Sequence, residues 1–135
     1  MPANTAPIFA LTAKVAAVTF INSDGTTAKT LLSAGTNGTK VLRIAVTSDD
    51  TAAVDMQLFI RISSVDYLVG TNDIPTLSGT DGSTDAVNLL DLAAMPWLDS
   101  DGEFFIPSGV DVKVAPLAAV TSAKTVTITA FAADY

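Results

Sequence analysis

Val54-Asp-Met-Gln-Leu-Phe-Ile-Arg-Ile62 is the stretch that decides the fold class of this chain. Apolar residues occupy every second position of it, and such alternation places them on one face of a β-strand. The stretch therefore predicts an antiparallel strand with one buried face and one solvated face. The predicted inward residues are Val54, Met56, Leu58, Ile60 and Ile62, and the outward ones are Asp55, Gln57, Phe59 and Arg61.

Three further segments, residues 41–47, 110–114 and 125–131, show the same two-residue period. Each is predicted to be a strand with one apolar face. The third runs almost to Tyr135, so the C-terminal end is expected to be part of a sheet. The predicted inward residues are Leu42, Ile44 and Val46 in the first segment, Val110, Val112 and Val114 in the second, and Val126, Ile128 and Ala130 in the third.

Asp24-Gly25 lies between two apolar segments, residues 13–21 and 27–32. An Asp-Gly pair supplies the positive φ angles that tight hairpin turns require. The two segments are therefore predicted to form a β-hairpin. Further turns are predicted at residues 34–38 and 106–109, because Gly and Asn tolerate left-handed conformations and Pro pre-sets φ.

Residues 86–95 are the one candidate for a helix. Asp85 could cap it and Pro96 could follow its end, although the same residues also suit an irregular strand. The remaining turn signals divide the chain into about seven to nine short strands, the number expected of a sandwich or jelly roll.

The predicted fold class is therefore all-β. The expected architecture is a single antiparallel β-sandwich domain, jelly-roll-like, over residues 11–135, with at most one short helix. An N-terminal arm is expected over residues 1–10, where two prolines disfavour regular pairing.

Composition excludes several classes of function. The chain has no cysteine and no histidine, which removes thiol chemistry, disulfides, the commonest general base and the commonest transition-metal ligand. A formal net charge of -7 would repel a phosphate backbone. The first residues resemble no secretory signal, and no segment approaches the roughly 20 apolar residues that span a bilayer. We therefore expect no enzyme activity, no cofactor, no nucleic-acid partner and no membrane insertion.

Carboxylates cluster in one loop, where Asp99, Asp101 and Glu103 could offer oxygen ligands to a calcium ion. The loop departs from the EF-hand pattern, because the twelfth position counted from Asp99 is Val110 instead of a bidentate Glu. Acidic turn residues that bind no metal are the favoured interpretation.

Asp49 and Asp50 are a second candidate group. Paired carboxylates are the groups that glycoside hydrolysis uses. Adjacent aspartates between two strands are more often solvated loop residues, and no second acid on a neighbouring strand supports catalysis. A structural role is therefore favoured for both.

Trp97 follows Pro96 in a loop-like stretch, where an indole either closes the open end of a sandwich or anchors a partner. Phe59 and Phe131 lie in the opposite phase from the inward residues of their strands, so they are predicted to point outward. Outward aromatic side chains in a small protein suggest an interface between subunits.

The N-terminal arm brings apolar residues outside the predicted domain. Ile8 and Phe9 follow Pro2 and Pro7, so an extended arm could dock these two side chains on a neighbouring subunit. A frayed terminus is the alternative interpretation.

A family resemblance follows from four segments: Thr5-Ala-Pro-Ile-Phe9, Ala34-Gly-Thr-Asn-Gly-Thr-Lys-Val-Leu-Arg-Ile44, Ile106-Pro-Ser-Gly109 and Ala133-Asp-Tyr135. Together they resemble a group of small structural proteins of tailed phages and prophages. The likeness extends over most of the chain and consists of turns and strand edges. Residues 71–101 depart from the family's pattern, being richer in Asp and Gly.

The resemblance implies a jelly-roll-like virion component, a capsid decoration or cement protein that assembles as a trimer on the shell and carries no catalytic residues. Such a protein would be made in the bacterial cytoplasm and located on the capsid surface. Its partners would be the major capsid protein and further copies of itself. The residues expected to bind partners are Pro2, Pro7, Ile8, Phe9 and Trp97.

Three alternatives remain open at this point. A tail, neck or fibre-base component would have the same sequence character as a shell protein. A carbohydrate-binding sandwich could use calcium held by Asp99 and Asp101. A hydrolase acting through Asp49 or Asp50 is the least favoured of the three.

Overall fold

A computed structural model describes residues 12–135 of the chain. Within that range, nine strands form two antiparallel sheets, and one turn of 3-10 helix spans Asn22–Asp24. No helix in this range is long and apolar enough to cross a membrane. The strands are β1 (Thr12–Phe20), β2 (Lys29–Ser33), β3 (Thr39–Ser48), β4 (Val54–Ile62), β5 (Val65–Ile74), β6 (Val87–Asn88), β7 (Phe104–Ile106), β8 (Asp111–Pro116) and β9 (Val126–Asp134).

The strand order is that of a jelly roll. The first sheet runs β1-β9-β3-β6, with β7 also paired to β3, and the second runs β2-β8-β4-β5. The pairs are nested: β4 pairs with β5, β3 with β6 and β7, β2 with β8, and β1 with β9. One long antiparallel hairpin folded over itself produces this pattern, with five pairs divided between two sheets. The predicted all-β sandwich is confirmed.

The core lies between the two sheets and is built by the period-two residues. β4 begins and ends at the predicted residues, and Met56 and Leu58 are fully buried. From the first sheet, Ile44, Val46 and Ile128 pack into the same cluster. Each such side chain contributes about 1.5–3 kcal/mol on burial, so the alternation visible in the sequence accounts for the association of the sheets.

One inward assignment in β3 is wrong. Val41 is fully buried, whereas Leu42, which the alternation placed inward, is half-buried. The pairing of β3 with β9 shifts at this point, because Val41 lies opposite Ala132 and Arg43 lies opposite Phe131. Leu42 is thus the extra residue of a β-bulge, and a bulge reverses the phase of the residues before it.

The hairpin predicted around Asp24-Gly25 is also wrong. β1 pairs with β9 and β2 pairs with β8, so the chain crosses between sheets here instead of doubling back within one. The Asp24 carboxylate accepts the backbone N–H of Ile21 at 2.8 Å and the ammonium group of Lys29 at 3.0 Å. These bonds close a 3-10 turn around Asp24, and Gly25 follows at φ 58° and ψ -130°.

The region proposed as a short helix is an irregular strand followed by a turn. Only Val87 and Asn88 pair with β3. One helical turn follows, in which the Met95 N–H bonds to the Asp91 carbonyl at 2.7 Å. Leu89 and Met95 are fully buried, which fixes this segment over the edge of the first sheet.

The tight hairpin of the structure lies between β4 and β5. Its two-residue loop is Ser63-Ser64, with φ angles of 50° and 66°. Two successive positive φ angles define the type I′ turn, which is usually built from Asn and Gly. Because serine is not a typical residue for this turn, the residue types of the loop did not predict a hairpin here.

Candidate binding surface

An apolar groove of about 590 Å³ opens at one end of the sandwich. The end of the β4–β5 hairpin forms one wall, and β7 with its flanking residues forms the other. Its lining is mostly aliphatic and aromatic, with two carboxylates at the rim, Asp99 and Glu103. The main apolar side chains are Ile60, Ile62 and Val69 on the hairpin and Trp97, Phe104 and Phe105 opposite.

The groove exists because the two sheets differ in length at this end. β4 and β5 have nine and ten residues, whereas β6 and β7 have two and three. The inner side of the hairpin end is therefore only partly covered by the first sheet. Ile62 pairs with Val65, and Ile60 pairs with Tyr67, so these side chains share that inner side. Ile62, Val65 and Tyr67 are between 47% and 52% exposed. We call Ile62, Val65, Tyr67, Trp97 and Phe105 the apolar end.

Trp97 is held in place at the rim of the groove. Its Nε1–H donates to the Val69 carbonyl at 2.8 Å, and its ring meets Phe104 edge to face with centroids 5.2 Å apart. Val69 is the extra residue of a bulge in β5, an edge strand. The indole therefore provides a hydrogen bond to one carbonyl of the sheet edge, while 42% of the residue stays exposed. The indole is thus fixed by its contacts at the end of the sandwich, and it is also exposed enough to contact a partner.

The structure brings Asp99, Asp101 and Glu103 together beside Trp97, with ligand oxygens within 4.8 Å of one another. Asp99 Oδ1 accepts the backbone N–H groups of Asp101 and Glu103, each at 2.9 Å. Glu103 Oε1 lies 3.1 Å from Lys40 Nζ, and this hydrogen bond and charge raise the pKa of Lys40. The three carboxylates could share a hard cation, but one of them is already paired with an ammonium group.

Asp49 and Asp50 both accept hydrogen bonds from backbone N–H groups of loops. Asp49 Oδ1 accepts the Thr125 N–H at 2.7 Å, and Asp50 is fully buried, with Oδ1 bonded to the Ala52 N–H and Oδ2 to the Thr121 N–H at 2.9 Å each. Burial raises the pKa of the Asp50 carboxyl, but hydrogen bonds from Thr121, Ala52 and Thr51 outweigh it and hold the pKa below its ordinary value. Through these hydrogen bonds, both carboxylates connect the loop before β4 to the segment before β9.

The remaining predicted site residues are Pro2, Pro7, Ile8 and Phe9, which lie outside the described residues. Two outward aromatics were predicted within the domain. Phe131 is exposed on the first sheet, and Phe59 is half-buried on the second, where it lies opposite Leu68.

No protein-family model matches the chain, and no curated protein is significantly similar to it. Fold and surface chemistry are therefore the basis for assigning a function.

Sequence reasoning missed most of the apolar end. Trp97 was predicted as a candidate, but Ile62, Val65 and Tyr67 were not, because Ile62 was assigned to the core by its phase. The available signal was the spacing of Ile62 and Val65 around Ser63-Ser64, which marks a hairpin tip with apolar residues on both sides. Whether the opposite sheet extends far enough to cover a tip depends on strands distant in sequence.

Proposed function

We propose that this protein is a virion structural protein, a capsid decoration or cement protein that binds the major capsid protein and stabilises the shell. The observation that carries the proposal is the apolar end, in which aromatic and aliphatic side chains surround a groove on a rigid sandwich. Exposed apolar surface of this kind typically marks a site of protein association. The jelly roll supports the proposal as a frame that viral capsid domains share with lectins and other proteins, although a fold alone assigns no function.

The mechanism is binding without chemistry. Removal of apolar area from water stabilises a contact by about 25 cal/mol per Å², and loss of translational and rotational freedom opposes it. Many symmetric copies on a shell raise the effective affinity of a modest contact. Trp97 suits this role because its hydrogen bond to Val69 fixes the indole before binding, so little further side-chain entropy is lost.

The test is co-sedimentation with particles assembled from the major capsid protein of the same genome. In a double variant, Ile62→Ser with Tyr67→Ser, occupancy should fall at least about tenfold, since two apolar side chains leave the contact. Both residues are about half exposed, so the fold should persist. The matched control is Leu117→Ser, which is 53% exposed and follows β8 at the other end of β4. Normal occupancy of a folded double variant would contradict the proposal.

The arm predicted at residues 1–10 remains a second proposed contact, based on sequence. Deletion of residues 1–9 should weaken shell binding through loss of Ile8 and Phe9. The location of the protein in whole particles, shell or tail, separates decoration from a tail, neck or fibre-base role. Trimer formation, which the family resemblance implies, belongs to the same proposal.

A second candidate is a calcium-assisted carbohydrate-binding module. The proximity of Asp99, Asp101 and Glu103 to Trp97 favours it, because sugar sites combine an aromatic platform with polar ligands. A rise in melting temperature on adding calcium, together with binding on a glycan array, would support this function. No shift and no glycan binding would exclude it.

A further inference from the structure

The start of β1 and the apolar groove lie at the same end of the sandwich. Thr12, the first described residue, is exposed and pairs with Asp134 at the end of β9. Asp134 pairs with Thr39 at the start of β3, and Thr39 pairs with Ile106 of β7, which lines the groove. Three strand spacings therefore separate Thr12 from this wall of the groove, a distance of about 14 Å.

Tyr135 and Phe105 provide aromatic surface between these two points. Tyr135 follows Asp134, the partner of Thr12, and its backbone N–H donates to the Gly38 carbonyl at 3.2 Å. Its ring meets Phe105 edge to face, with centroids 5.5 Å apart. Phe105 is exposed and lines the groove. The direct route from the start of β1 to the groove is therefore apolar.

The N-terminal arm, residues 1–10, has the length and the side chains to fill the groove. An extended residue spans at most about 3.3–3.6 Å, so Ile8, four residues before Thr12, can lie up to about 14 Å from it. A cavity of about 150 Å³ holds a benzene ring, and the groove of about 590 Å³ has room for the side chains of both Ile8 and Phe9. Pro7 restricts φ directly before this pair, which lowers the entropy lost on docking.

Charge and tethering favour the chain's own arm as the occupant. Asp99 and Glu103 lie at the rim of the groove, and the chain has a net charge of -7, so a second copy is repelled. The side chains of residues 1–11 carry no charge, so the arm meets the rim without repulsion. Its covalent attachment also raises its effective concentration to the millimolar range, at which a modest contact is well populated.

We propose that Ile8 and Phe9 pack into the groove of their own chain, against Trp97 and Phe105. The arm and the apolar end then form one continuous surface. This last consequence rests on the proposed function where it joins the two proposed shell contacts into one. The docking of the arm itself concerns the free protein and holds whether or not the protein binds a shell.

Trp97 is the only tryptophan of the chain, and it lines the groove, so its fluorescence reports on the contact. In the full chain carrying Ile8→Ser with Phe9→Ser, quenching of this fluorescence by acrylamide should rise roughly twofold, because side chains that cover the indole are lost. The control, Val15→Ser with Phe131→Ser, removes two exposed apolar side chains outside the groove and should be quenched like wild type. Melting curves confirm that each variant is folded. Unchanged quenching in the folded arm variant would overturn the proposal.

A cross-link tests the same contact by distance. The chain has no cysteine, so two introduced cysteines allow one intramolecular disulfide, which forms where their Cα atoms lie within about 7 Å. Ile8→Cys with Phe105→Cys should form this disulfide on mild oxidation. Ile8→Cys with Leu117→Cys should not, because Leu117 lies at the other end of β4.

Two results of the oxidation would overturn the proposal: the absence of the Ile8–Phe105 cross-link, or its formation between two chains, which would place the arm on a second copy. Shell binding of the cross-linked protein reports separately on the proposed function. Failure to bind particles would leave the docked arm of the free protein unaffected.

Discussion

The first sheet presents Ala17, Thr129 and Ala45 to the outside, whereas the second presents Arg61, Asp66 and Lys113. In the second sheet, Asp66 lies 2.9 Å from Arg61 and 3.3 Å from Lys113, forming an ion-pair network. The inner faces are alike, since both bury aliphatic side chains in one cluster. A sandwich is stabilised by its inner faces, so the outer faces can differ in charge and take different roles.

The largest loss of stability is expected from substitutions in the buried inner faces. Equivalent substitutions in the two sheets should lower the free energy of unfolding by similar amounts. Ile128 in the first sheet and Leu58 in the second are both fully buried. Substitution of either by Ala should lower the free energy of unfolding by about 3–4 kcal/mol, through lost burial and the cavity left behind. Chemical denaturation measures this. A several-fold difference between the two variants would mean that one sheet contributes little to the core.

The next largest loss of stability is expected from substitution of Asp50, which lies in the loop that connects β3 of the first sheet to β4 of the second. Asp50→Asn should cost about 2 kcal/mol, because an amide replaces one of two acceptor oxygens with a donor that faces a backbone N–H. Asp49→Asn is the matched control, since Asp49 uses a single oxygen, towards Thr125. Equal losses in the two variants would show that the bonds of Asp50 to Ala52 and Thr121 do not matter.

The same residue predicts a response to acid. The folded pKa of Asp50 lies below its unfolded value, so its contribution is present above about pH 4 and is lost as pH falls through the folded pKa. With no histidine in the chain, stability should be flat from about pH 5 to 8. Asp50→Asn should decline less steeply in acid than wild type does. An equally steep decline would assign the acid response to other carboxyls.

The smallest loss of stability is expected from substitutions on the charged outer face of the second sheet. Burial raises the pKa of Asp66, but its bonds to Arg61 and Lys113 outweigh this and lower it. Because exposed ion pairs contribute little, Asp66→Asn should lower the melting temperature by less than about 4 °C, and high salt should reduce the difference further. A loss comparable to that of Leu58→Ala would show that this network, like the core, holds the sheet together.

The sequence predicts the fold well, because apolar residues at every second position show directly which face of a strand is buried. It located β4 to the residue and identified the inward residues of β8 and β9. It failed at Leu42, where a bulge reversed the phase, and at Asp24-Gly25, where a turn typical of hairpins connects two sheets. β5 was missed because it is exposed along most of its length and lacks a clear period.

The candidate site was only partly predictable. Trp97, Asp99 and Glu103 are close in sequence, so their proximity in space follows from a compact loop. The exposure of Ile62 and Tyr67 depends on the shortness of β6 and β7, which pair with β3 and not with the hairpin. Likewise, the row of small side chains formed by Ala17, Thr129 and Ala45 on the outer face of the first sheet appears only when β1, β9 and β3 are placed side by side.

The nested strand order has a consequence for how the protein is made. β9 lies between β1 and β3 at the centre of the first sheet, yet it is synthesised last of the nine strands. Until it leaves the ribosome, β1 has no partner, and the emerging chain exposes two unfilled sheet edges to its surroundings. The first sheet therefore cannot be completed before Val126–Asp134 has been synthesised, and nascent chains that stop before Val126 should be prone to aggregate.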